Sequence, residues 1–423
     1  MMLTTTSPEY DDARLGYQRR DPHRPEVIFP VTSATEIEEA VRYAIDHDKK
    51  IAVQASGHGL TSGIDGGVLI ATKAFNHVTV DPERKTAWIE AGATWRDVLD
   101  ATAPYGLAPL SGSFPGVGAI SYTLGGGLGL MARRFGYAAD HVRRIELVTM
   151  DGVRRDADDD LFWATRGGGG DFGVVTGIEI DLFEVPTLFG GSLYFDLAEH
   201  PEVLEVWQQW TKTVPDEVTT AVALVPLPDI LPIPQALRGK YIAQVQLAIL
   251  GDNGEELIKP LRAIGEPAMD TVGELPYVES GKIFAEPDRP DRFNSRNVLV
   301  SDLDPTALAT LPKLAGPEAS TRCVIAIRQL GGALTREPAV ANAVCHRDAA
   351  YSITVISPGA DDESELQNAV LEPWRELTVG RLLNFNGAGI DLREVYDEPT
   401  FTRLTELRER YDPDRRLQAN HQL

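Results

Sequence analysis

Residues 107–129 constrain this chain more than any other stretch. They read Leu-Ala-Pro-Leu-Ser-Gly-Ser-Phe-Pro-Gly-Val-Gly-Ala-Ile-Ser-Tyr-Thr-Leu-Gly-Gly-Gly-Leu-Gly. Proline removes a backbone donor and glycine weakens any regular element, so no single helix or strand runs through the segment. Three consecutive glycines at 125–127, followed by Gly129, cost folding entropy. They are tolerated where the backbone bends hard or approaches another group closely. That group is either a packed neighbour or a flat cofactor or pyrophosphate, whose oxygens accept backbone N–H bonds. Composition alone does not choose between the two.

The flanking pattern organises the rest. Val27-Ile28-Phe29 is a short apolar run. Ser33 with Glu36 fits a capping box for a helix to about residue 48, and Ile51-Ala52-Val53 opens the next strand. Further strands are expected at 68–72, 77–80, 86–90 and 173–183. Asp151-Gly152 is a hairpin turn between two more. Thr94 with Asp97 caps another helix. Beyond Pro186 the texture becomes strands at 220–225, 241–250, 324–329 and 351–357, with helices at 199–212, 254–264 and 363–377. A short strand at 382–385 and a last helix opened by Pro399 follow. Residues 1–25 read as a polar surface arm. The fold class is α+β, and 423 residues exceed one ordinary core, so two domains are expected.

The chemistry narrows by exclusion. Acidic residues number 63 against 40 basic, a formal charge of −23, and a field of that sign repels nucleic acid. Two cysteines form no disulfide framework and no CxxC pair, and the eight histidines are scattered, so no metal site is expected. No run of about 20 apolar residues suggests a membrane span. No secretory leader is visible at the start, and a cytoplasmic location is expected. Two glycine strings, 168–173 and 127–132, fit the letters of a dinucleotide fingerprint. The first follows a helix and enters a strand, and the second follows a loop, so neither is read as one. Ser56-Gly57-His58-Gly59-Leu60 places a histidine between glycines after a buried-looking strand.

Several ordered motifs carry a resemblance. Gln54-Ala55-Ser56-Gly57-His58-Gly59 is followed by Phe114-Pro115-Gly116-Val117-Gly118 and then Tyr122-Thr123-Leu124-Gly125-Gly126-Gly127-Leu128-Gly129. Trp163-Ala164-Thr165-Arg166-Gly167-Gly168-Gly169-Gly170-Asp171-Phe172-Gly173-Val174-Val175-Thr176 comes next, and Tyr411-Asp412-Pro413-Asp414 with Asn420 closes the chain. Together they resemble the berberine-bridge-enzyme-like branch of FAD-linked oxidases, in the vanillyl-alcohol-oxidase/PCMH flavoprotein superfamily. The resemblance implies a PCMH-type FAD-binding domain of two subdomains, made from residues 1–188 and completed by 379–423. An α+β substrate domain, an antiparallel sheet backed by helices, would occupy 189–378. It assigns Gln54, Ser56, Gly57, His58, Gly59, Leu60, Ser113, Phe114, Val117, Gly118, Ser121, Tyr122, Gly125, Gly127 and Gly129 to FAD. Gly173 and Val175 would lie along its ADP half, and Asn384 and Asn420 would close over it. His58 matches the histidine joined covalently to the flavin.

Three positions depart from the family. Where members with two covalent links carry a cysteine, this chain has Phe114, so a link through His58 only is expected. The family's Tyr-x-Asn-Phe reads Leu382-Leu383-Asn384-Phe385, and its Glu-x-Arg reads Ala326-Ile327-Arg328. The resemblance implies an oxidase moving a hydride from an alcohol or amine C–H of a small to mid-sized molecule to flavin N5, with dioxygen as acceptor. Tyr351, Tyr122 and Gln329, with Arg328, are the candidate catalytic groups, and His346 is read as structural. Altered acid–base residues leave a second reading: a non-redox cyclase or isomerase, or a ligand-binding protein, using the same pocket as a template. A third reading is a nicotinamide-fed reductase.

Overall fold

The computed structural model describes residues 2–316, 322–359 and 363–423. The first sheet holds β1 (Val27–Pro30), β2 (Ile51–Gln54) and β3 (Val68–Ala71), with β3 central and parallel to both neighbours. Leu3–Thr4 adds antiparallel to the outer edge of β1. Helix α1 (Ala34–Asp46) makes the crossover from β1 to β2. Ser33 Oγ accepts the Glu36 N–H as expected, while the Glu36 carboxylate reaches back to the Thr32 N–H at 2.6 Å. Ile37, Ala40, Val41 and Ala44 form its buried stripe, packed on Ile51, Val68 and Ile70.

The second sheet is β4 (Val78–Asp81), β5 (Thr86–Glu90), β6 (Val142–Val148), β7 (Arg154–Asp156) and β8 (Val174–Asp181), in the order β4-β5-β8-β6-β7, all antiparallel. Helix α2 (Trp95–Thr102) starts at a reciprocal capping box between Thr94 and Asp97. The glycine-rich segment contributes only one short helix, α3 (Ala119–Leu124).

The third sheet is antiparallel. It runs through β9 (Thr187–Asp196), β10 (Val218–Pro226), β11 (Tyr241–Ile249), β12 (Phe293–Val300), β13 (Val324–Gln329), β14 (Tyr351–Pro358) and β15 (Thr378–Gly380), in the order β9-β11-β10-β13-β14-β12-β15. Its two faces differ because side chains alternate along a strand. Leu193, Val245, Val222, Ile327 and Ile353 occupy one face. They pack on α4 (Val203–Thr211), α5 (Pro305–Ala315) and α6 (Ser364–Leu371), around Trp207 and Trp374. The other face carries the row Ser192, Gln246, Ala221, Arg328 and Ser352, one residue per strand.

The chain then returns to its start. The last helix, α7 (Glu398–Tyr411), buries Leu404 and Leu407 in the same core as Leu161 and Phe172. Asp412 turns the tail by accepting the N–H groups of Arg416 (2.7 Å) and Leu417 (2.9 Å). Residues 416–418 then pair alongside β2, where Ile51 N–H donates to Arg416 O and Gln418 N–H to Ile51 O, each at 2.8 Å.

Three local expectations change. Residues 382–385 are not a strand: Leu383–Phe385 is a 3₁₀ turn, because Leu382 N–H is taken by Asn297 Oδ1 (3.0 Å) instead of a neighbouring strand. The helix at 254–264 splits into Gly254–Leu257 and Lys259–Arg262, since Pro260 suits only a first turn. The N-terminal arm is not a loose surface tail. It buries Gln18 and His23, and Arg19 N–H and Asp291 N–H bond across to Asp291 O and Tyr17 O.

Candidate active site

The site begins where β2 ends. Gly57 has φ +64°, and a Cβ there would lie 2.6 Å from Gly16 Cα, so only glycine lets the arm cross the turn. Tyr17 N–H donates to Ser56 O (2.9 Å) and Gln18 N–H to Gly57 O (3.0 Å). Ser56 Oγ accepts the N–H groups of Gly118 (3.2 Å) and His58 (3.4 Å), which locks two sequence-distant turns together. Ser121, exposed on α3, sits beside Gly118 and bonds its carbonyl at 3.2 Å. The His58 ring is half-buried among Tyr17, Phe114 and Phe293, at centroid distances of 4.3, 5.3 and 6.4 Å. Burial lowers its pKa below the ordinary 6.5 against an opposing pull from Glu286, so the ring is neutral at pH 7. Its Nδ1 is buried without a protein partner, as is Gln54 Oε1. Gly59 opens on space whose nearest atom is Asn420 Nδ2 at 3.9 Å, and Thr61 Oγ1 holds Asn420 O at 2.5 Å. Val117 is half-buried and Leu60 is buried beneath this turn.

The glycine cluster has a packing cause. A Cβ on Gly112, Gly127 or Gly129 would come within 2.9, 2.6 and 2.8 Å of the Tyr122 side chain. A Cβ on Gly125 would lie 1.6 Å from Asn384 Oδ1. Gly125, Gly127 and Gly129 thus admit a buried tyrosine and the returning C-terminal segment. Gly173 is used the same way, against Leu147 Cδ1 at 2.7 Å, with Val175 buried two residues on.

Opposite these turns stands the polar face of the third sheet. A narrow cavity lies between them, bordered by Ser113, Gly129, Ala221, Gln246, Phe284 and Arg328. Ser113 Oγ donates to Glu286 Oε1 at 2.5 Å. Gln244 Nε2 donates to Phe284 O (3.2 Å), which fixes the strand-free segment carrying Phe284 and Glu286.

The proposed catalytic side chains are corrected here. Tyr351 is on the helix-packed face, its hydroxyl paired with Thr211 Oγ1 at 2.7 Å and its ring near Trp207. Gln329 borders the cavity, but its Nε2 donates to Thr211 O at 2.6 Å on that same helix side. Strand alternation puts both opposite Arg328. Tyr122 does lie at the glycine turns, yet burial raises its pKa well above 10, so it is a neutral phenol and no base. His346 packs its ring on Gly380, where a Cβ would meet Cδ2 at 2.3 Å, a structural placement. Tyr17, Glu286, Phe284 and Phe293 are site residues with no local signature in the sequence. Among the described residues, no three histidine, cysteine or carboxylate side chains cluster as metal ligands. No described helix is long and apolar enough to cross a membrane.

These residues fit FAD: an orphaned neutral imidazole nitrogen, an aromatic surround and an open glycine turn. The comparisons agree. The FAD binding domain family matches residues 25–158. An uncharacterized FAD-linked oxidoreductase of Bacillus subtilis is 25% identical, over 98% of this chain and 94% of its own. (R)-6-hydroxynicotine oxidase of Paenarthrobacter nicotinovorans is 36% identical over 38% of this chain and 37% of its own length. The structure of Physcomitrella patens BBE-like 1 superposes with a TM-score of 0.85 at 20% identity, covering 100% of this chain and 96% of that one. The FAD-binding domain at residues 25–158 marks the chain as an FAD-linked oxidoreductase, and its α+β fold is the one it shares with Physcomitrella patens BBE-like 1.

Proposed function

We propose that this chain is an oxidase of the berberine-bridge-enzyme-like type, acting on an alcohol or amine of a small to mid-sized organic molecule. FAD, when bound, would supply an acceptor for the substrate hydride that dioxygen can reoxidise. The protein's own residues hold that group and prepare the substrate. His58 would hold it by one covalent bond from Nδ1, and the observation that carries this is the buried, neutral, unpartnered nitrogen itself. Phe114 stands where a second tether would need a thiol. Ser56, Gly59, Gly118, Ser121 and Asn420 line the cofactor's path, and Asn384 clamps the C-terminal segment over it.

The substrate enters between the 128–130 turn and the sheet, where Leu128 and Leu130 give the cavity an apolar wall. Neither Tyr122 nor Tyr351 is available to take a proton. Glu286, bonded to the cavity-lining Ser113, is the carboxylate positioned to accept the O–H or N–H proton of the substrate. The turned-away Tyr351 and the neutral, buried Tyr122 also favour a second reading, a non-redox cyclase or isomerase that uses the cavity as a template. One experiment separates the two. Anaerobic mixing with a panel of alcohols, sugars and amines bleaches the yellow protein if it is an oxidase, and air then restores the colour with peroxide formed. Product formed with the spectrum unchanged supports the template reading and overturns the oxidase.

A further inference from the structure

We propose that the cavity recognises a carboxylate on the substrate, with Arg328 as the residue that binds it, so that the substrate class is an alcohol or amine bearing an acid group. The proposal rests on the oxidase reading of the same site.

Arg328 is the β13 member of the polar row on the face turned toward the glycine turns, between Ala221 and Ser352 on the neighbouring strands. Both neighbours are small, which leaves space in front of the guanidinium. Among the described residues it makes no ion pair or hydrogen bond. Its carbon instead sits over the ring of Phe385 at 4.7 Å and that of Phe284 at 5.3 Å. Aromatic contact occupies guanidinium faces and leaves the in-plane N–H edge for a planar anion, which it grips with two parallel bonds. A partly buried guanidinium with no anion is costly, and burial lowers its pKa accordingly. Glu286 is the carboxylate acting on it, yet lies beyond ion-pair distance and is bonded to Ser113. Glu286 is thus held on the cavity-lining Ser113 and does not pair with Arg328. Two strands away on the same row, Gln246 is 4% exposed, borders the cavity and has Oε1 without a partner. It supplies a free hydrogen-bond acceptor for a further polar hydrogen of the substrate, beside the one that goes to Glu286. A neutral sugar would leave the guanidinium unanswered.

The test uses holoenzyme titrated with benzoate and with benzamide, read by the visible absorbance of the bound flavin. Benzoate is expected to bind about tenfold or more tightly than benzamide. Arg328→Gln is expected to erase that ratio and Arg328→Lys to keep part of it. In turnover, hydroxy acids should exceed their methyl esters in kcat/KM, mainly through KM. Equal affinity for the two probes overturns the proposal. So does an Arg328→Gln protein that keeps the ratio, or one in which only the flavin midpoint potential moves. Failure of the oxidase reading is distinct: benzoate would still be preferred, while neither acids nor esters bleach the flavin.

Discussion

Asn384 Nδ2 donates to the backbone carbonyl of Tyr122 at 2.9 Å, across 262 residues of sequence. This bond and the Asn384 contact with Gly125 fasten the C-terminal segment to the glycine turns. Gly125→Ala would place a methyl 1.6 Å from Asn384 Oδ1, at a φ of −88° that alanine accepts, so the effect is steric. Overpacking of this kind costs about 1–3 kcal/mol. Denaturant unfolding should show that loss, and the variant should retain less FAD on dilution than the parent.

His58→Ala should release all flavin into the supernatant after acid precipitation, whereas the parent keeps its colour in the pellet. A parent that also loses its colour would remove the covalent tether from the account. Phe114→Cys tests the other half: its ring is 5.3 Å from that of His58, and a thiol there is expected to yield a second acid-stable link.

Tyr351→Phe should leave the pH profile of turnover unchanged, because the hydroxyl faces α4 and not the cavity. It should cost about 1 kcal/mol of stability, the loss of one buried hydrogen bond. The cost stays small because Thr211 Oγ1 still donates to Gln208 O at 2.7 Å. Glu286→Gln, in contrast, should lower kcat about 100-fold or more, the usual loss when a positioned general base is removed.

Acid should destabilise the fold through two histidines. His23 is buried, its Nδ1 accepts the Ile64 N–H at 3.1 Å, and its pKa falls from 6.5 to about 4. His421 shifts by burial to about 4 as well. Folding favours the neutral rings, so their contribution is complete above pH 6.5 and is lost as pH falls toward 4. For His23 the span is worth about 3 kcal/mol. Urea midpoints between pH 7.5 and 4 should fall accordingly, and His23→Gln should flatten part of the slope.

Local chemistry made much of the architecture legible in advance. Ser33 and the Thr94–Asp97 box start their helices, and Val174–Asp181 forms its strand, because caps and β-branched runs act within a few residues. The Gly57-His58-Gly59 turn was equally visible, since a histidine between glycines has no helical or strand reason to exist. Strand alternation decided what motif position could not: Tyr351 and Arg328 lie on neighbouring strands, yet point to opposite faces. Around His58, Phe114 was legible from its motif, but Tyr17, Phe293 and the carboxylate of Glu286 come from distant segments. Their approach depends on a returning chain and a crossing arm, not on spacing. The sequence by itself determined most of the secondary elements and the glycine-flanked His58 turn, because those interactions are local. Only the tertiary structure decided which side chains share the cavity, because that depends on sheet register and long-range closure.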